Sequence, residues 1–290
     1  MIDDAVYEFD LDREIEMTPD FRILSDFKIF EAVVKPRYSR FLKCQTNDAA
    51  YRSNGGGSLP PRPKPVQGDL RNLPEALRQL TLPCHRQWVV WKFTFKSDAK
   101  PGKEWTKPPF NPRSPNHNAK NNDSSTWATY GDALNVIVTH TEFKEFGGIG
   151  YNIFHSILAV FDLDDCRNLE TGEILPWALD LISKAKTYAE ITPSGTGLRI
   201  IGLTSDDSQR VQRKQPIPDT TSSLESYRKC ERYITITGLQ VEGSPNELVN
   251  IDAVMDDMIA ALDKGKGKTG DKDTHDGFEF RRQKVDVDAL

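Results

Sequence analysis

Between residues 72 and 262 the apolar positions follow two alternating periods. Four stretches carry the 3.6-residue spacing of an amphipathic helix: LPEALRQL (73–80), TWATYGDALNVIVT (126–139), PWALDLISKAK (176–186) and NELVNIDAVMDDMIAAL (246–262). Thr126 and Asn246 open two of them as candidate N-caps. Seven shorter stretches, rich in β-branched and aromatic residues, predict strands: QWVVWKFTF (87–95), GIGYNIF (148–154), ILAVFDLDD (157–165), TYAEITPS (187–194), GLRIIGL (197–203), SLESY (223–227) and RYITITG (232–238).

Several strands follow one another through connections too short for a crossover helix. YNIF-HS-ILAV reads as one tight hairpin and EITPS-GTG-LRIIG as another. A doubly wound parallel fold needs a helix between consecutive strands. The expected class is therefore α+β, a substantially antiparallel sheet flanked by helices.

Outside this body the periodicity fades. Residues 1–45 begin acidic and hold too few apolar positions to close a core, so they read as an N-terminal extension. Residues 46–71 are rich in Gly, Pro, Ser and Asn and read as a linker. Residues 72–262 form the expected folded domain, and 263–290 a charged, flexible tail. Four scattered cysteines without a CxxC pair argue against a zinc ribbon or a disulfide framework and fit a reducing cytoplasm. No apolar run approaches the roughly 18 to 20 residues that span a membrane.

The net charge of -5 gives a polyanion-binding protein no support, yet its distribution is uneven. Residues 1–26 hold nine acidic and two basic side chains, whereas residues 73–131 hold nine basic and four acidic ones. Phosphates respond to local potential over about 8 Å, so overall acidity does not exclude nucleic acid.

Three motifs carry candidate chemistry. In ILAVFDLDD, alternation puts Asp162 and Asp164 on one strand face, roughly 7 Å apart at Cα. Two carboxylates there can converge on a divalent ion, or they can simply end the strand in a solvated turn. In TPSGTGLR, Gly195 and Gly197 allow backbone N–H groups to face a phosphate, with Ser194, Thr196 and Arg199 as further donors. An ordinary hairpin with an exposed arginine would read the same. In SLESYRKCERYITITG, Glu225 can add a third oxygen ligand for Mg²⁺ or Mn²⁺, or be a surface carboxylate.

The order WVVWKF, WTKPPFNP, NAKNNDSSTWATYGDAL, GGIGYNIF, FDLD, YAEITPSGTGLRIIG, LESYRKCERYITITG resembles the primase-polymerase branch of the archaeo-eukaryotic primase superfamily, found in phage and plasmid replication proteins. The resemblance spans about residues 73–238, somewhat over half the chain. It implies an RRM-like catalytic core and a template-dependent nucleotidyl transferase, a DNA primase or DNA polymerase, serving replication or repair of a mobile element or phage. It assigns Asp162, Asp164 and Glu225 to catalysis and to two Mg²⁺ or Mn²⁺ ions. Ser194, Gly195, Thr196, Gly197 and Arg199 fall to the nucleotide, with Lys107 and Arg232 as further phosphate or template contacts. Single-stranded DNA template and primer, and dNTP or NTP, are the implied partners. No GxxxxGK[ST] helicase signature occurs, so unwinding falls to a separate helicase or to further sequence.

One position departs from the family pattern. Its glycine-rich motif commonly ends in histidine, where this chain has Arg199. Arginine keeps a cationic donor for phosphate but cannot act as a neutral imidazole near pH 7. The substitution bears on primer initiation more than on phosphate binding. A catalytically weak or inactive primase-like module that binds single strands or a partner is the non-enzymatic alternative, and a glycosyltransferase that uses a DxD motif is the enzymatic one. Trp105, between Lys103 and Lys107, is the candidate base-stacking residue, and His117 a lesser nucleic-acid contact.

Overall fold

The computed structural model describes residues 60–99, 104–139, 146–218 and 220–266. The extension 1–45, most of the linker and the tail beyond residue 266 lie outside the described residues.

WVVW forms β1 (Trp88–Trp91), buried on both faces, because Trp88 and Val90 enter one core while Val89 packs on Trp127 in another. The expected strand 87–95 breaks there. Its continuation, β2 (Thr94–Phe95), pairs with β3 (Trp105–Thr106) as a separate two-stranded ribbon. The strands β4 (Pro109–Asn111), β5 (Ser114–Asn118), β6 (Gly148–Asn152) and β12 (Tyr233–Ile236) complete a five-stranded sheet in the order β12-β6-β1-β4-β5. A second sheet holds β7 (Leu158–Asp164), β8 (Ala189–Ile191), β9 (Leu198–Leu203), β10 (Val211–Pro216) and β11 (Ser223–Arg228), ordered β10-β11-β7-β9-β8. All of the strand pairings are antiparallel. With four α-helices among the described residues, the class is α+β, as expected.

One of the two expected hairpins does not form. β6 and β7 lie in different sheets, so YNIF-HS-ILAV is a crossing between layers. The turn bends through His155, at φ 54, and the Asn152 side chain accepts the Phe154 N–H. The second hairpin is present: β8 pairs with β9, with Ile191 opposite Leu198.

Alternation along β7 divides the cores. Leu158 and Val160 enter the cluster shared with β1, β6 and β12. Ala159, Phe161 and Leu163 face α3 (Pro176–Ala185) and α4 (Asp252–Lys266), whose Leu181, Met255 and Met258 cover the other side of the sheet. Asp162 and Asp164 continue the Leu158–Val160 face past the end of its apolar packing. That is where the site opens.

Helix starts are shifted. α2 (Tyr130–Thr139) begins after Thr129, which exchanges hydrogen bonds with Asp132 as a capping pair, while Thr126 closes the preceding 3₁₀ turn. Asn246 caps a different helix from the one expected: its Oδ1 accepts the Ala76 N–H at the start of α1 (Glu75–Arg78). Residues 246 and 247 bend, and 249–251 run beside β9, where Leu203 exchanges backbone bonds with Val249 and Ile251. Residues 61–71, the later part of the expected linker, belong to the same compact unit as the body. Val66 and Gly68 donate to Pro193 and Thr237, and Leu70 is buried. Among the described residues no helix is long and apolar enough to cross a membrane.

Candidate active site

Strand register places five charged side chains in one line across the second sheet. Lys214 on β10 stands opposite Glu225 on β11, Glu225 opposite Asp162 on β7, Asp162 opposite Arg199 on β9, and Arg199 opposite Glu190 on β8. Neighbouring strands lie about 4.8 Å apart, so partners at one register share a face and touch. The row reads plus, minus, minus, plus, minus. Asp164, two residues along β7, adds a further carboxylate beside Asp162 and Glu225 and accepts from the Ser223 hydroxyl at 3.0 Å.

Asp162 is clamped from the β9 side. Arg199 Nη2 donates to both of its carboxylate oxygens, at 3.0 and 3.1 Å. Nη1 donates to the Thr235 hydroxyl at 2.7 Å and to the Thr235 carbonyl, tying the two sheets together. Only 6% of the Arg199 side chain is exposed, and its Nε is buried without a partner. Burial works against the guanidinium charge, but Asp162 and Glu190 outweigh it and hold its pKa above the ordinary arginine value.

Glu190, which the motifs had not singled out, is fully buried. It accepts from the Thr237 and Gly238 N–H groups and from the Tyr188 hydroxyl, and lies 3.9 Å from Arg199 Nη1. Burial raises its pKa in spite of Arg199 and the two N–H donors. The available sequence signal was a charged residue between Ala189 and Ile191 in an otherwise apolar strand.

Lys214 closes the other end of the row and was likewise not anticipated. Its ammonium contacts Glu225 Oε1 and lies 3.1 Å from Asp164 Oδ2. Arg232 reaches Glu225 Oε2 at 3.5 Å and lies over the Tyr227 ring. Partial burial opposes the Lys214 charge, yet its bonds to Glu225 and Asp164 prevail and raise its pKa.

The glycine motif forms a tight turn between β8 and β9. Thr192 N–H donates to the Gly197 carbonyl and Gly195 N–H to the Thr192 carbonyl, with Gly195 at φ +77. A Cβ on Gly197 would stand 2.8 Å from both the Leu163 carbonyl oxygen and Thr192 Oγ1, so this glycine permits close backbone approach. Ser194 lines the cleft beside Asp162, Asp164, Arg199 and Glu225, with Lys107 and Arg232 on the same cleft of about 730 Å³. Gly195, Thr196 and Gly197 are not among the cleft-lining residues. Thr196 instead accepts the Cys166 and Arg167 N–H groups on its carbonyl. Trp105 packs edge-on against Phe93 and Phe95, and His117 bonds to Ser114; neither lines the cleft.

Among the described residues, no group of three or more His, Cys, Asp or Glu is arranged to hold a metal ion by itself. The donor set still suits hard divalent ions, since all three carboxylates share the cleft wall. Mg²⁺ commonly takes only one or two carboxylates and completes its shell with water and substrate phosphates.

No family model matches the chain. The DNA primase-polymerase of Nitratiruptor phage NrS-1 is 30% identical over 160 residues, covering 55% of this chain and 20% of that protein. The matched part therefore spans about one fifth of the length of this curated relative. The similarity supports membership of the primase-polymerase family.

Proposed function

We propose, taking that kinship as premise, that this chain is a template-dependent nucleotidyl transferase that extends or initiates a strand on single-stranded DNA, using dNTP or NTP. The observation that carries the reading is the register of β7, β9 and β11, which sets Asp162, Glu225 and Asp164 side by side on a cleft wall with cationic neighbours. Mg²⁺ or Mn²⁺ bound by Asp162, Asp164 and Glu225 would supply activation of a 3′-hydroxyl and neutralisation of the triphosphate. Arg199 orients the Asp162 carboxylate through hydrogen bonds from Nη2 to both of its oxygens. Ser194, Lys107 and Arg232, spread around the cleft, offer donors to phosphate oxygens or to the template backbone. Binding of DNA through such contacts is sequence-tolerant and weakens with salt.

A second reading has its own support. Each catalytic carboxylate is already bonded to a cationic side chain, an arrangement that also suits a primase-like module which binds strands without synthesis. Incorporation of labelled nucleotide on a primed single-stranded template, with Mg²⁺ and Mn²⁺ tested separately, divides the two. Metal-dependent extension that disappears in the Asp162→Ala, Asp164→Ala double variant supports the transferase. Undiminished DNA binding with no incorporation under either ion supports the binding module.

A further inference from the structure

Of the cations that meet the carboxylates, Arg199, Lys214 and Arg232, the first two lie at opposite extremes of freedom. Arg199 is 6% exposed and bonded to both Asp162 oxygens and to Thr235, so it is a fixed part of the wall. Lys214 sits on the edge strand β10 with 60% of its side chain exposed, and its ammonium stands between Asp164 and Glu225. A divalent ion binds carboxylate oxygen at about 2.0–2.1 Å. The same two carboxylates cannot close on such an ion while the ammonium stands between them. A lysine stem is long and flexible, and its head is well hydrated in water. Lys214 can therefore swing out, where Arg199 cannot.

We propose that Lys214 is a displaceable counter-cation, holding Asp164 and Glu225 together in the metal-free protein and competing with the divalent ion for them. The proposal rests on the reading that these carboxylates bind metal. Nucleotide-free protein is then a weaker metal binder than its three carboxylates alone would make it, and the ion enters at the β10 side of the row.

The test is Mn²⁺ binding to the full chain without nucleotide, read from the electron paramagnetic resonance signal of free Mn²⁺. Lys214→Met keeps the stem and removes the charge, and should tighten Mn²⁺ binding about five- to tenfold. Arg213→Ala is the control, because it removes one positive charge from the same strand at a side chain bonded to Asp263. It should change the affinity by less than about twofold. Equal affinity in the wild type and Lys214→Met overturns the counter-cation and leaves the metal centre standing. Equal tightening in both variants overturns it as well, as a mere effect of net charge. Absence of Mn²⁺ binding in every protein, with or without added dNTP, overturns both the counter-cation and the metal centre.

Discussion

Both terminal nitrogens of Arg199 donate to Asp162 or Thr235, and its Nε is buried without a partner. These bonds to Asp162 and Thr235 compete with the fork on the triphosphate expected from the sequence, and the two roles are separable by mutation. Arg199→Ala should leave Asp162 and Glu190 unpaired in a buried setting and lower stability by about 3 kcal/mol, measured by urea denaturation. Arg199→Lys should recover only part, since an ammonium cannot span Asp162 and Thr235 together. Unchanged stability with weakened nucleotide affinity would return the guanidinium to the phosphate. A second residue-level outcome concerns Asp252. Burial pushes its carboxyl up, but bonds from Ser208, Ser205, Thr204 and Asn250 outweigh this and hold it well below the usual carboxylate range. A carboxylate depressed in the folded state contributes stability that is full above its unfolded pKa of about 3.9 and is lost as pH falls below it. Asp252→Asn should therefore be less stable than wild type at pH 7, with the gap narrowing below about pH 4 in denaturant titrations.

At the scale of elements, β7 and β9 approach so closely at Gly197 that the site depends on a missing side chain. Gly197→Ala would press a Cβ against the Leu163 carbonyl, which belongs to the backbone of β7 and cannot rotate away. A cost of about 1–3 kcal/mol is expected, seen as a lower melting temperature, along with reduced Mn²⁺ affinity as Asp162 is displaced. A melting curve matching the wild type would mean that the strands separate freely there. Helix α2 offers a milder case: Thr129→Ala removes the partner of Asp132 and should cost about 1 kcal/mol, whereas Thr126→Ala leaves that cap intact.

For the whole molecule, the segment before β1 is part of the folded unit. Leu70 and Leu73 are buried, and the Leu70 carbonyl accepts the Tyr130 hydroxyl. A chain beginning at residue 74 should be less stable than one beginning at residue 61 by at least about 3 kcal/mol, since it loses two buried leucines and the bonds at Val66 and Gly68. Equal melting temperatures would show that these contacts contribute nothing. Leu73 belongs to the first helix expected from the sequence, whereas residues 61–71 have the composition of a linker, and isolated apolar side chains there make no period.

What the sequence determined by itself was local. The period of two along ILAVFDLDD puts Asp162 and Asp164 on one face whatever the rest of the chain does, and the short SGTG connection commits β8 and β9 to pair. The antiparallel α+β class follows from the same short connections. Register between strands distant in sequence is another matter. Glu225 faces Asp162 from 63 residues away only because β11 pairs with β7 in this alignment, and a slip of one residue would turn it to the other side. Lys214 and Glu190 join the row through two further pairings, and Thr235 reaches Arg199 from the other sheet. Neither side chain carries a motif, because its role depends on what stands opposite it. The layer crossing between β6 and β7 was decided in the same way. Two apolar strands two residues apart satisfy a hairpin as well as a crossing, and only the partners β1, β12, β9 and β11 choose between them.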